Sequence, residues 1–510
     1  MARAYQTPQF LVDDTGARYV GMKQPDGTDA MFAPFSAGNR TAILLSDSIG
    51  AQSEVILAAA SVTDNNDGTA TVVISGGHAY SVGQPVRIGA ASTQKLNALD
   101  AVVTQVDSST QFRCSLGGRT HAVTSPSSPT IAMPHKKACR GFLTVLETLL
   151  GYQFDTEWCA VGGATASQIL DVARISRRGP FRWGFVCAGM NNVYSAAQSF
   201  ETAQAEIKAL IDYAVSVSGT AVVLSIPPRD SGGAFWSSAK QIVHNQLNWW
   251  MWQYCAAVGA VFINTWRAAS SGVTYVNGGA TNPDPTALMT FDGTHPSFPG
   301  AVGIANEIIA RVPDLSQSVM YYAGHLSMFG ADVANILTDS DFASGASTPT
   351  GWSIANLTTN ASATGSMESR TVASHGDAVG RNALVTFNYG TASGQASFRF
   401  TRSSIHSLLV PGKRFRAMVP FSVTGATDLQ GIDLLVQGVM SGGQSWFVYA
   451  NSYDSNVDGF SGSISGVLVT PEAVVPSGIT SCTPFVRPLF GSGQSGNAVL
   501  RVWHPLFAQY

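Results

Sequence analysis

The chain has 510 residues, of which 45% are hydrophobic and 12% charged, with 51 glycines and a formal net charge of −3. That length favours two or more domains, the apolar share excludes disorder, and the glycine content points to many turns between strands. No basic stripe of the kind that binds a polyanion is present, so a nucleic-acid partner is not expected, and a neutral substrate held by hydrogen bonds is favoured.

Residues 1–40 are polar and turn-rich, with a turn signal at Pro25-Asp26-Gly27, and read as a connector or attachment segment. They contain no continuous apolar run of the secretory type, so export by the Sec route is not expected. No stretch approaches the ~18 apolar residues of a membrane span, and no membrane insertion is expected.

From 41 to 60, and again from 134 to 312, strands and helices alternate. Ile43-Leu44-Leu45 reads as a short strand covered on both faces, and Ala138, Phe142, Val145, Leu146 and Leu149 share one helical face. Strands are expected at Trp158-Cys159-Ala160-Val161, from Trp183 to Cys187, from Ala221 to Ile226 and at Val261-Phe262-Ile263. Apolar helical stripes run through Phe200, Ala203, Ile207, Leu210, Ile211 and Ala214, and through Val243, Leu247, Trp250, Met251 and Tyr254; a last helix spans about Gly300 to Arg311. Such alternation with short links predicts a mostly parallel sheet between helical layers. Trp249, Trp250 and Trp252 read as packing residues.

Residues 61–133 interrupt this pattern with short strands at Thr71 to Ile74, Pro85 to Ile88, Ala101 to Val106 and Phe112 to Leu116, a small all-β insertion. It leaves the fold just after the first strand, so it is expected to lie beside the cleft and influence substrate choice; the competing expectation is packing on a neighbouring subunit or on the C-terminal region. Residues 313–335 read as a connector. From 336 to 510 the pattern is wholly of period two, as in Phe415, Ala417, Val419, Phe421 and Val423, and predicts a β-sandwich.

Four segments carry chemistry. Ser46-Asp47-Ser48 follows the first strand, Gly162-Gly163 the second and Gly189-Met190-Asn191-Asn192 the third, while Asp292-Gly293-Thr294-His295 precedes the last helix. In an open parallel sheet the carboxyl ends of the strands share one edge, so these segments converge. The residue types suit acyl transfer: Ser48 as nucleophile, His295 as its base and Asp292 to orient the base. The backbone N–H groups of Ser48 and Gly163 and the amide of Asn191 are the expected oxyanion donors, with Gly162 as the alternative to Gly163. No cofactor is expected. No metal site is expected either, because Cys114, Cys139, Cys159, Cys187, Cys255 and Cys482 form no CxxC pair, and Cys159, Cys187 and Cys255 read as buried thiols. His78, His121, His135, His244, His325, His375, His406 and His504 lack ligand spacing and read as surface or packed histidines.

These four blocks resemble the SGNH, or GDSL-like, hydrolases over about 200 residues of the chain. The resemblance implies a flavodoxin-like α/β/α core and ester hydrolysis through an acyl-enzyme, with Ser48, Gly163, Asn191, Asp292 and His295 in the family's roles. Asn245 falls where the family often has an asparagine and reads as structural. Ser46 in place of the family's glycine and Asn192 in place of its aspartate are departures.

Residues 336–510 resemble carbohydrate-binding sandwich modules, through Asp341-Phe342, Gly351-Trp352 and the Val499–Trp503 strand. Gly16-Ala17-Arg18-Tyr19-Val20, Gly77-His78 and Leu96-Asn97-Ala98-Leu99 are similar to segments of bacteriophage tail proteins. Together these imply a tail spike whose esterase removes O-acetyl groups from a bacterial surface polysaccharide. They also imply a homotrimer, attached to other tail proteins through residues 1–40 and located in the virion, or else extracellular by a route other than Sec. A bacterial carbohydrate esterase or lipase with no virion role, and a non-enzymatic receptor-binding tail protein, are the alternatives.

Overall fold

The computed structural model describes residues 9–12, 18–23, 29–32, 40–78, 80–90, 99–116, 129–175, 180–230, 235–268, 290–312, 314–315, 336–337, 342, 344–358, 361–369, 381–390, 395–443, 445–452, 459–491, 495–503 and 505–509. Five strands, β1 (Thr41–Ser46), β2 (Asp155–Ala160), β3 (Phe181–Cys187), β4 (Ser218–Leu224) and β5 (Val261–Ile263), form a parallel sheet in the order β2-β1-β3-β4-β5. This is a doubly wound order. It reverses between β1 and β3, and there a crevice opens outside the carboxyl ends of the strands.

Successive residues of a strand point to opposite faces, and both faces here are apolar. Ala42, Leu44, Trp158 and Phe185 pack with helices α1 (Phe142–Leu150) and α5 (Phe298–Arg311). Ile43, Leu45, Cys159 and Val186 pack with α2 (Ala166–Ile175), α3 (Phe200–Val217) and α4 (Ser238–Val258). The predicted α/β/α layering of the hydrolase segment is therefore what the backbone adopts. Ala138 is a correction: it ends a strand, its N–H bonded to Ser53 O at 3.0 Å, and the helix starts only at Phe142. Trp249 and Trp252 are a second correction: they are 57% and 50% exposed, with ring centroids 5.0 Å apart. They line a surface pocket together with Phe262, Trp266, Glu307 and Arg311.

The β insertion is larger than its pattern suggested. Strands Glu54–Ala58 and Pro129–Ala138 pair antiparallel and belong to it, together with Ser61–Asp64, Thr69–Val73, Pro85–Ala90, Leu99–Val106 and Gln111–Ser115. It has its own core of Val62, Val72, Val86, Ile88, Phe112 and Ile131. The insertion contacts the C-terminal region, as one of the two expectations had it. Lys136 and Ala138 pair in parallel with Tyr449 and Ser452, Ser81 Oγ donates to Ser445 O at 3.0 Å, and the Lys136 ammonium lies 5.0 Å from the Tyr449 ring centroid.

Among themselves the described C-terminal strands pair antiparallel. The 27-residue strand Arg414–Met440 bends at register shifts between Val423 and Leu429, and its halves join different partners. Phe387 and Phe398, and Phe415 and Trp446, meet across the interior. This region shares a core with the hydrolase sheet: Phe298 of α5 meets Phe460 edge-on at 6.4 Å, and Gln153 Nε2 donates to Val469 O at 2.7 Å. Residues 1–40, expected as a connector, contain the antiparallel strands Gln9–Val12, Arg18–Lys23 and Asp29–Phe32, because Phe10-Leu11-Val12 and Tyr19-Val20 are β-formers between turns. Pro25-Asp26-Gly27 and most of the 313–335 connector lie outside the described residues.

Candidate active site

The chain leaves β1 through Ser46 and turns sharply. Asp47 caps a one-turn helix, Ser48–Ala51, by accepting Ile49 N–H at 3.0 Å. That turn lifts Ser48 to the carboxyl edge of the sheet, half-buried. On the far side of the crevice, Asp292 closes a turn on itself: Oδ1 accepts the N–H groups of Thr294 and His295 at 3.0 and 2.8 Å. Its Oδ2 lies 2.6 Å from His295 Nδ1, and His295 Nε2 lies 2.8 Å from Ser48 Oγ. Residues 247 apart in sequence are thus joined in one relay of hydrogen-bond length.

Gly293 makes that turn possible. Its φ is +76°, and a Cβ would come within 2.7 Å of Asp230 Cβ, on the loop after β4 whose N–H bonds Gly293 O at 2.8 Å. Burial pushes the Asp292 carboxyl up, but the hydrogen bond and charge of His295 and the N–H groups of His295 and Thr294 outweigh it and hold it at about 2. Asp292 is therefore a carboxylate across the working range and can stabilise an imidazolium.

The expected oxyanion donors cluster on the same edge. Gly162 and Gly163 sit exposed on the turn after β2, with nothing within 4 Å of a Cβ at either; only Gly163 has positive φ, at +77°. The Asn191 amide is set by two bonds, Nδ2 to Ala164 O at 3.1 Å and Oδ1 from Ser195 Oγ at 3.1 Å. It therefore reaches across to the turn that carries Gly163. Asp47 N–H bonds Cys187 O at 3.1 Å, tying the Ser48 turn to the end of β3 just before Asn191.

The sequence profile of the GDSL-like lipase/acylhydrolase family matches residues 128–301. Residues 128–301 therefore match a GDSL-like acylhydrolase domain. The matched stretch does not include Ser48, which the fold brings to within 2.8 Å of His295 in that stretch. No curated protein matches the chain. Among solved structures, the chain is similar to carbohydrate-binding modules of a β-sandwich superfamily, at 9% identity over 31% of this chain and 56% of that one, with a TM-score of 0.22. It is also similar to the enzymatically active domain of bacteriophage CBA120 tailspike protein 4, at 10% identity over 34% of this chain and 21% of that one, TM-score 0.23. A GDSL-like lipase from Bacteroides thetaiotaomicron matches at 19% identity over 32% of this chain and 75% of that one, TM-score 0.25. The chain thus spans 56% of the first of these structures and 21% of the second.

Both departures from the GDSL-like pattern have a physical account. The Ser46 hydroxyl donates to Cys187 O at 3.0 Å and accepts Gly50 N–H at 2.9 Å, so it staples the nucleophile turn to β3. Gly50 makes room for it, since a Cβ there would lie 2.4 Å from Ser46 Oγ. Asn192 accepts Ala166 N–H at 3.0 Å and donates to Gln198 Oε1 and Glu206 Oε2, both at 2.7 Å. An aspartate could not donate, and its charge would face that of Glu206; the amide is the residue that fits this carboxylate-bearing pocket.

Asn245, Asn248 and His244 make contacts within the scaffold of the domain. Asn245 accepts from Gln241 Nε2 at 2.9 Å, while Asn248, one turn on, binds both Ile226 N–H and Ile226 O and pins the end of β4. Nothing in the spacing singled out Asn248 from its neighbours. His244 is buried between Tyr194 and Trp266, and burial pushes its imidazole down to about 4. His121, His325, His375, His504 and the side chain of His135 lie outside the described residues. All six cysteines are buried free thiols. Among the described residues, no three His, Cys, Asp or Glu side chains are grouped to hold a metal, and no helix is long and apolar enough to cross a membrane.

Proposed function

We propose that the domain is a serine esterase that removes O-acetyl groups from a bacterial surface polysaccharide, working as part of a phage tail spike. The observation that carries the esterase chemistry is the relay Asp292–His295–Ser48, with contacts of 2.6 and 2.8 Å. Neutral His295 holds its proton on Nδ1 toward Asp292, and Nε2 accepts the proton of Ser48 as Oγ attacks the ester carbonyl. The oxyanion is met by the Ser48 and Gly163 N–H groups and the Asn191 amide. The imidazolium gives its proton to the departing sugar oxygen as the C–O bond breaks, so the sugar leaves as a hydroxyl and an acyl-serine remains. His295 then takes a proton from water as the water oxygen adds to the acyl carbon, and returns that proton to Ser48 Oγ as the bond to the acyl group breaks, which frees acetic acid and Ser48. Every proton moved begins and ends on a group of this chain, the substrate or water.

Support for the substrate is of a different kind. Gly162 and Gly163 leave open space on the turn after β2, with nothing within 4 Å of a Cβ at either. The exposed indoles of Trp249 and Trp252 offer flat apolar faces of the kind a pyranose ring packs against. The tail-spike role rests on the resemblance of residues 1–40 and of the insertion to phage tail proteins. The deciding experiment is acetate release from purified O-acetylated surface polysaccharide, with Ser48→Ala as control. Release by the wild type alone is the expected result. Turnover of p-nitrophenyl acetate with no release from any polysaccharide, or faster turnover of long-chain esters, would replace the reading with a small-ester esterase or a lipase.

A further inference from the structure

His295 is held at both nitrogens by Asp292 and Ser48. A flat partner also lies against the face of its ring. The Phe291 ring lies parallel to the His295 imidazole, with an interplanar angle of 20° and centroids 5.6 Å apart. The same phenyl ring carries the Arg140 guanidinium, whose Cζ is 3.6 Å from its centroid. Phe291 N–H also bonds His295 O at 3.1 Å, so ring and imidazole belong to one closed turn.

Arg140 reaches this turn from a distant part of the chain. It stands in the link between the last insertion strand and α1, and that link is locked to the nucleophile side. Ala138 N–H bonds Ser53 O, Thr144 Oγ1 donates to Ser53 O at 2.7 Å, and Ser53 N–H bonds Gly50 O within the Ser48 turn. A Cβ on Gly141 would lie 2.0 Å from Ser53 Cα, so the two segments touch backbone to backbone. Cys139 faces the C-terminal region, its Sγ 3.6 Å from Gln430 O.

We propose that Arg140 and Phe291 are positioning residues for the base: guanidinium, phenyl and imidazole pack as one stacked group that fixes the imidazole plane and keeps Nε2 on Ser48 Oγ. The stack gives the end of the insertion a role in the reaction other than substrate choice, because it joins the two halves of the relay through a third segment. The inference rests on the esterase reading for its kinetic consequence and on geometry alone for its existence.

Two measurements test it. With p-nitrophenyl acetate, Phe291→Leu is expected to lower kcat about 5- to 10-fold and Arg140→Met about 2- to 5-fold, the sizes of one aromatic contact and one cation–π contact. KM should stay within about twofold, and Phe291→Tyr should recover most of the loss. Unchanged kcat in folded Phe291→Leu, whatever its melting temperature, would overturn the positioning role. The second measurement needs no turnover. In protein labelled with 13C at histidine, assigned with His295→Gln, a ring proton of His295 should be shifted upfield by the phenyl ring current and return toward the free-histidine position in Phe291→Leu. A resonance that does not move would overturn the stack itself. Were the wild type inactive on every ester, the shift would still decide the stack while the esterase reading failed.

Discussion

Two carboxylates in this molecule each meet a cationic or basic partner at 2.6 Å, and they behave in opposite ways. Asp292 beside His295 in the hydrolase domain is held at about 2, whereas Asp433 beside Arg487 in the C-terminal region is pushed up to about 6. The Asp292 side chain is 40% exposed and that of Asp433 0% exposed. Burial is the largest influence on both. At Asp292 water and two backbone N–H groups help His295 to overcome it; at Asp433 the charges of Arg487 and Arg399 do not. A partner at hydrogen-bond distance is therefore not what makes a carboxylate dependable. The site keeps its charge by staying partly wet, and the scaffold carries a pair whose balance is poor.

The largest effect expected is on the site side of this contrast. Ser48→Ala should lower kcat about 10⁴-fold or more while leaving the melting temperature near that of the wild type, since a half-exposed hydroxyl adds little to the core. A mutant that keeps wild-type turnover would remove Ser48 from the reaction.

On the scaffold side, Arg487→Leu would strand a fully buried carboxyl. A loss of about 3–5 kcal/mol in urea unfolding is expected, with kcat of the folded protein unchanged. A loss below about 1 kcal/mol would mean that Asp433 is already protonated in the native state at neutral pH.

Next in size, Asn191→Ala should cost roughly 10²–10³ in kcat, the usual size for one oxyanion donor. If the loss appeared only in KM, Asn191 would be a residue that positions the sugar.

The smallest effect separates burial from location. Asp47 lies in the active-site turn like Asp292, but it is buried like Asp433, and burial pushes it up to about 6 against the opposing pull of Ile49 N–H and His295. A carboxyl raised above its unfolded value contributes stability below the unfolded pKa, near pH 4, and loses that contribution as pH rises through about 6. Asp292 has the opposite sign: its contribution is present above pH 4 and lost as pH falls toward 2. Asp47→Asn keeps the cap and removes the charge, so it should stabilise the protein at pH 8 by about 1–2 kcal/mol and have little effect at pH 4. Equal effects at both pH values would show that the Asp47 carboxyl titrates in its ordinary range.

Some of this was plain from spacing and some was not. The five core strands and four of their helices stood out because apolar runs and 3.6-residue stripes are local properties. The stripe through Ala138 overran its helix because Ala138 is apolar in either state, and the Ser53 contact that stops the helix comes from 85 residues away in sequence, as the two numbers show. Glu54–Ala58 and Pro129–Ala138 were hidden because they carry Glu, Lys and Pro and pair with each other from opposite ends of the insertion. Tryptophans at helical spacing looked like core, yet α4 presents Trp250 inward and Trp249 and Trp252 outward.

Local order along the chain determined the residue types of the site: a serine after the first strand, a glycine pair after the second, an asparagine after the third, and Asp292-Gly293-Thr294-His295 before the last helix. Those follow from strand ends, turns and caps, which each segment carries within itself. Only the tertiary structure decided that Ser46 and Asn192 are fitting substitutions, that the Phe291 ring stacks against the His295 imidazole, and that the insertion leans on the C-terminal region. Each of these depends on a partner far along the chain, on Gly50 leaving space or Glu206 supplying a charge. Packing sets such pairings and no repeat in the sequence records them.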